Sequence, residues 1–484
     1  MSENIFNSIN YRDYLVQYQG KTIGKLNNID GVLIKPINDE LAILTIRKNL
    51  QNNINDFSVL EKNLNNDLLS SIIYIKSPEL YTLEDISPLE EAQISSVQQS
   101  NPLNLLGDNV VVGIIDTGID YLNEEFITDD NKTRINFIWD QSLDIFEDSN
   151  GELKYGEIYR KDDINKAIEL YKQGGNPYDI VKTKDEIGHG TAMAGIIAAS
   201  GKNPELRGGA PKCELCIIKL AEAVSYKEDF EIEVPVYNVT SIVIAIETLY
   251  KYAIEYKKPL VIYLPLGTNS GNHQGTGLLN EYIENVTNNR GIIVVTGAGD
   301  EYIQIYLYDI QPGLWTFRII GNIISSGIFN IWIPQKGITK PGTGFRAPDP
   351  YGTLTIPGDS TSVVTVAAYN QNTNNALIYS SMTFKNSEVS IIDLAAGGVN
   401  AITTASNNST TTVSGTSVSA AVVAGVCALL LEWGIVDGNY PYMYCQSLIS
   451  YLVKGTDRRK GDIYPNAQWG YGTLNVLKMF ENMT

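Results

Sequence analysis

Histidine, cysteine and positive charge are all scarce in this chain. Its 484 residues include 2 His and 4 Cys, and 36 Lys plus Arg face 55 Asp plus Glu, for a formal charge of −19. That balance excludes a nucleic-acid surface, which needs a basic stripe, and it disfavours docking on anionic lipid. Four cysteines in so long a chain cannot form a disulfide scaffold. Cys213-x-x-Cys216 lacks the second Cys or His pair a zinc site wants, so these thiols read as small buried hydrophobes. No run reaches the roughly 18–20 apolar residues of a membrane span; the longest, from Ala420 to Leu431, is interrupted by Gly425. The opening MSENIFNSINYRDYL has neither the basic nor the apolar region of a secretory signal. The expectation is a protein made in the cytoplasm and kept inside the producing cell.

What remains is a globular composition, 43% hydrophobic and 19% charged. Residues 1–99 are rich in Asn, Asp, Ile and Leu, with strand-like runs at 31–36, 41–47 and 71–75 and a helical spacing over 54–69. They read as a small α/β unit. The polar stretch 85–102, with prolines at 88 and 102, reads as a linker. From Asn109 the grammar changes. Apolar, β-branched runs at 110–115, 215–220, 260–264, 291–296 and 362–367 alternate with helical patterns at 190–199, 239–256 and 278–288. Such runs are strands buried on both faces. Their alternation with helices predicts an α/β fold, a parallel sheet with helices on both sides. Residues 301–355 interrupt it with aromatic–polar alternation and turns, which read as an inserted β segment.

Three short elements carry chemistry. His189 lies in Ile187-Gly-His-Gly-Thr191, at the start of an apolar helix. Asp116 lies in Gly113-Ile-Ile-Asp-Thr-Gly118, at the carboxyl end of a buried strand, where open α/β sheets place their sites. Ser417 lies in Ser414-Gly-Thr-Ser-Val-Ser-Ala420, at the N-terminus of another apolar helix, whose N–H groups and dipole favour an anion. Each has an ordinary reading as a cap or turn residue, and Ser419 competes with Ser417.

Together, in the order Asp…His…Ser, these blocks resemble the three signatures of the subtilisin-like serine proteases, the subtilases. The resemblance covers about residues 105–475. It implies that Ser417 is the nucleophile, that His189 is the base that takes its proton, and that Asp116 fixes the His tautomer. It also implies Leu266, Gly267 and Gly297 as substrate-binding positions. Further blocks, among them IDYLNEEF, PLGTNSGNHQG, PGLWTFRIIG and YPNAQWGYGTLNV, resemble the Csp spore-germination proteases of clostridia. That resemblance implies a propeptide over 1–99, a subtilase domain over 100–484 and an inserted jelly roll over about 301–355. The propeptide cut would fall between Ile94 and Ser100. The implied partners are the protein's own propeptide and the pro-form of a cortex-degrading hydrolase, inside the spore.

The chain departs from the pattern where subtilases carry the Asn that donates to the oxyanion. Here the stretch reads Gly297-Ala-Gly-Asp-Glu-Tyr302. Either Asp300 replaces the Asn, setting a carboxylate against developing negative charge, or a segment that held the Asn is absent. Pro265 takes the usual Ser place of the substrate-binding Ser-Leu-Gly, and His273 reads as a solvated loop residue. No motif points to a cofactor; structural calcium, common in subtilases, has no DxDxDG loop behind it. The alternative to a peptidase is a pseudoprotease used as a germination scaffold, against which the intact Asp116, His189 and Ser417 argue. An ester hydrolase would want a G-x-S-x-G elbow, absent around Ser417.

Overall fold

The computed structural model describes residues 11–20, 32–37, 40–47, 71–75, 87–143, 146–147, 153–154, 156–229, 231–269, 273–298, 313–316, 330–333, 338–340, 342–385 and 392–483. The chain forms two compact units, Met1–Glu84 and Asp85–Thr484.

The first unit is a four-stranded antiparallel sheet of β1 (Tyr11–Tyr18), β2 (Val32–Pro36), β3 (Leu41–Arg47) and β4 (Ile72–Ile75), in the order β2-β3-β1-β4. In β3, Ala42, Leu44 and Ile46 are fully buried, the period of two that turns alternate side chains to one face. The helix expected over 54–69 lies outside the described residues.

The second unit begins with two short helices, α1 (Pro88–Glu91) and α2 (Ile94–Gln99). The expected linker is therefore not one. Ser87 caps α1 by accepting from Leu89 N, with Pro88 in the first turn. Ile94 and Val97 are buried in the core. The Gln98 side chain donates to Gly208 O and Gly209 O at 2.9 and 3.0 Å. The cut expected between Ile94 and Ser100 falls on this helix.

The main sheet contains β5 (Val111–Asp116), β6 (Ile135–Asp140), β7 (Glu157–Arg160), β8 (Glu214–Lys219), β9 (Leu260–Tyr263), β10 (Ile292–Gly297), β11 (Val364–Asn370), β12 (Asn375–Ala376) and β13 (Leu394–Gly397). Its order is β12-β11-β10-β9-β5-β8-β6-β7, with β13 also on β11. Every pairing is parallel except those of β7 and β12. The strand β6 had no expectation behind it, and it extends the sheet beyond β8. Every residue of β5, β9 and β10 is buried, as expected for strands covered on both faces.

The helices placed around this sheet include α3 (Lys161–Lys172), α4 (His189–Ala198), α5 (Val239–Tyr256), α6 (Leu278–Thr287), α7 (Thr416–Leu431), α8 (Cys445–Lys454) and α9 (Val476–Glu481). A hairpin of β14 (Ala401–Ala405) and β15 (Ser409–Val413) precedes α7. Helix α7 is apolar on all sides and packs against α4 and strands β9 to β11. With its continuation to Val436 it is long and apolar enough to cross a bilayer, yet nearly all of it is buried inside the unit, which marks a central core helix. The inserted β segment lies mostly outside the described residues.

Candidate active site

Parallel strands deliver their carboxyl ends to one edge, and the three singled-out side chains come from elements that meet there. Asp116 is the last residue of β5 and is 2% exposed. His189 is the first residue of α4. Its Nδ1 lies 2.8 Å from Asp116 Oδ1 and 2.9 Å from Oδ2, so Nδ1–H donates to the carboxylate. Thr117 N donates to Asp116 Oδ1 at 2.7 Å, fixing the carboxylate from the other side. The His189 ring is 39% exposed, which leaves Nε2 free to meet a partner. Burial pushes the His189 pKa down, but the charge and hydrogen bond of Asp116, with the charge of Asp185, push it up, and the net shift is upward.

Glycine after His189 is required by close approach: a Cβ on Gly190 would stand 2.2 Å from Gly118 O. The loop carrying His189 is thus pressed onto the loop carrying Asp116. Asp185 joins them by hydrogen bonds. Its Oδ1 accepts from Thr117 Oγ1 at 2.7 Å and Gly188 N at 2.8 Å, and its Oδ2 accepts from Thr191 N at 2.8 Å and Thr191 Oγ1 at 2.7 Å. Sequence reasoning missed Asp185. Its signal was a carboxylate four residues ahead of His189, at the mouth of a helix N-terminus.

Ser417 is the second residue of α7 and half-buried. Tyr263, the last residue of β9, donates its hydroxyl to Ser417 O at 2.8 Å. Since Tyr263 pairs with Ile114 of β5, this bond ties the start of α7 to the strand that carries Asp116. No hydrogen bond to the Ser417 hydroxyl is present among the described residues. Ser419 is excluded as a competitor: it is fully buried and its Oγ donates to Ala396 O and Gly397 O at 3.0 and 3.1 Å.

Gly297 ends β10 beside α7, where an added Cβ would come within 3.1 Å of Thr416. Leu266 and Gly267 follow β9, and β9 and β10 are neighbours. All three residues therefore sit at the edge that holds Ser417. Asp300 lies outside the described residues. Two clefts flank the His189 loop. One of about 760 Å³ is lined by Thr117, Ile187, Lys219, Leu220 and Tyr237, among others. The other, of about 460 Å³, lies between His189 and the hairpin residues Ala405, Ser409 and Thr411.

Other candidates resolve as structure. His273 is not solvated: it is buried, its ring nitrogens lie 2.7 and 3.0 Å from Leu354 O and Asn269 O, and it stacks on Trp332 at 4.3 Å. All four cysteines are free and buried, and burial pushes the Cys213 thiol up to about 12, far from a reactive thiolate. Among the described residues, no three His, Cys, Asp or Glu side chains gather as metal ligands.

Residues 107–472 match the subtilase family, peptidase S8. The chain is similar to the CspB protease of Clostridium perfringens, with 27% identity and a TM-score of 0.67 over 81% of this chain and 98% of that one. It is also similar in fold to sphericase, at 17% identity and a TM-score of 0.50 over 79% and 97% of the two chains. No curated protein matches the chain. Family match, parallel sheet and Asp–His pair at the strand ends agree, and the chain belongs to the subtilase family of serine endopeptidases.

Proposed function

We propose that Asp116, His189 and Ser417 form the catalytic triad of a peptidase that acts on a protein substrate during spore germination. The substrate on this reading is the pro-form of a cortex-degrading hydrolase, cut once to activate it. The observation that carries the catalytic part is the Nδ1–H bond from His189 to the buried Asp116. With the proton held on Nδ1, the lone pair sits on Nε2, the tautomer a general base needs.

The steps follow from that tautomer. His189 Nε2 takes the proton of Ser417 Oγ as the oxygen attacks the scissile carbonyl. Asp116 stabilises the imidazolium so formed. The oxyanion develops beside the Ser417 backbone N–H, at the positive end of α7. Imidazolium then protonates the leaving amine. Water, deprotonated by the same ring, attacks the acyl-enzyme and frees Ser417.

The protein on this reading is made as a zymogen whose first unit is removed by its own active site. The cut on this reading falls between Ile94 and Ser100, on α2. Likeness to the CspB protease over most of the chain supports the placement in germination. Intact-mass measurement of the purified wild type and of Ser417→Ala tests the scheme. The wild type is expected as a processed fragment beginning within or just after residues 94–100, and the variant as full-length chain. Identical full-length masses would contradict self-processing.

A further inference from the structure

Three neighbouring strands end in charged side chains that stand in register. Asp116 closes β5, Lys219 closes β8 and Asp140 closes β6, and Lys219 pairs with both of the others. The triad accounts for Asp116 alone. Asp140 is 1% exposed, and a buried carboxylate needs donors and a partner charge. Its Oδ1 accepts from Ser142 N at 2.9 Å and Ser142 Oγ at 2.5 Å, and its Oδ2 accepts from Thr183 Oγ1 at 2.5 Å. The Lys219 ammonium stands 3.7 Å from that Oδ2.

Lys219 turns its donors onto the loop ahead of His189. Its Nζ donates to Lys184 O at 2.6 Å and to Glu186 Oε2 at 2.7 Å. Its stem lies over the turn that follows Asp116, where a Cβ added to Gly118 would stand 3.3 Å from Lys219 Cδ. With only 13% of its side chain exposed, Lys219 makes these bonds in a partly water-excluded place, where they are stronger than on the open surface.

Residues 183–186 are therefore fixed one after another. Thr183, Lys184 and Glu186 are tied to the ends of β6 and β8. Asp185, between them, reaches the other way, to Thr117, Gly188 and Thr191. The carboxylate that joins the Asp116 and His189 loops is thus carried on a segment whose path is set by its two neighbours, and both neighbours are held by one ammonium group.

We propose that Lys219 is a positioning residue for the reaction: by clamping residues 184 and 186 to the strand ends, it holds Asp185 where that carboxylate can orient the loop and helix start bearing His189. The inference rests on the peptidase reading above. Lys219 touches no reacting atom. Misplacing a catalytic group by about 1 Å can cost about 100-fold in rate, so the effect is expected in rate, with the fold retained.

The test uses the purified full-length protein and an alkyl fluorophosphonate as the reagent for Ser417, at a pH where His189 is neutral. Lys219→Met keeps the stem and removes the charge and the donors; it is expected to slow labelling by about 10- to 100-fold. Lys219→Arg, which still donates to both oxygens, should recover most of that rate. A double-mutant cycle with Asp185→Asn asks whether Lys219 acts through Asp185: if it does, Lys219→Met adds little once Asp185 is changed. The Nδ1 proton of His189 supplies a second readout, a downfield proton resonance absent from His189→Ala. It should broaden or vanish in Lys219→Met and persist in Lys219→Arg. Thermal unfolding shows that each variant is folded; should Lys219→Met fail to fold, Lys219→Gln carries the same comparison.

Labelling of the folded variant within about twofold of the wild type overturns the proposal. Losses from Lys219→Met and Asp185→Asn that simply multiply overturn it too, as does a resonance as sharp as the wild type's despite slower labelling. Each of these leaves the peptidase reading standing. Failure of the reagent to label Ser417 in the wild type overturns the peptidase reading, and this inference with it.

Discussion

The two halves of the active-site edge are built by different physics. On the side of β5 and α4, polar atoms hold the geometry: Asp116, His189, Asp185, Thr117 and Thr191 satisfy one another within hydrogen-bond distance. On the side of β9 and β10, shape holds it: the bare backbones of Gly267 and Gly297 allow Thr355 and Thr416 to approach closely. The first half governs proton affinity, and the second is held by steric contact between bare backbone and threonine side chains. Substitutions in the two halves should therefore fail in different ways.

The largest effect belongs to the reacting groups. Ser417→Ala or His189→Ala should lower kcat by about 10⁶, as in subtilisin, where triad members act as a unit. Asp116→Asn should cost about 10⁴, because the amide no longer selects the Nδ1–H tautomer. Both are read by kcat on a cleaved peptide, and a loss below tenfold for Ser417→Ala would separate this site from the chemistry.

Asp185→Asn separates the halves more finely. The carboxylate raises the His189 pKa and fixes both loops, so its loss should move the ascending limb of kcat/KM to lower pH. Activity needs neutral His189 and therefore rises with pH through the folded pKa, above the ordinary value of about 6.5. The stability contributed by the charged ring runs the other way: it is full below the unfolded pKa and is lost as pH rises through the folded one. A variant that lowers rate with an unmoved pH limb would make Asp185 a scaffold residue only.

Gly267→Ala probes the steric half. Its methyl would meet Thr355 Oγ1, and overpacking of this kind typically costs about 1–3 kcal/mol. Thermal unfolding measures the loss, and Gly267→Ala with Thr355→Gly should recover part of it. Additive losses would show that the two residues do not press on each other.

A last effect lies outside both halves. Burial raises the Asp393 carboxyl to about 7, against one opposing hydrogen bond from Thr365 N at 2.9 Å. The folded protein holds this proton while the unfolded chain, near 3.8, has lost it. Stability from this group is therefore full below the unfolded value and declines as pH rises towards 7. Asp393→Asn should flatten that decline, as seen by denaturant midpoints across pH 4–8.

The strands around Asp116 and the helices that begin at His189 and near Ser417 were legible in the sequence because burial on both faces leaves a continuous apolar run. The segment 87–99 was not read correctly. Its polarity suggested a linker, yet Ser87-Pro88 followed by Glu90 and Glu91 is a helix start, and only tertiary packing reveals that Ile94, Val97 and Gln98 are buried. His273 misled for the same reason: a Gly- and Asn-rich loop looks solvated until Trp332 covers it. Asp185 left a local trace, a carboxylate four residues ahead of His189, but its bond to Thr117, 68 residues away, left none.

The central claim is that Asp116 and His189 activate one hydroxyl out of all those in the chain. Site-localised mass spectrometry after treatment with a fluorophosphonate, run at several pH values, measures it directly. The account predicts a single adduct on Ser417, forming faster as His189 loses its proton and absent from His189→Ala. An adduct on Ser419 or elsewhere, or none at any pH in the folded wild type, would contradict it.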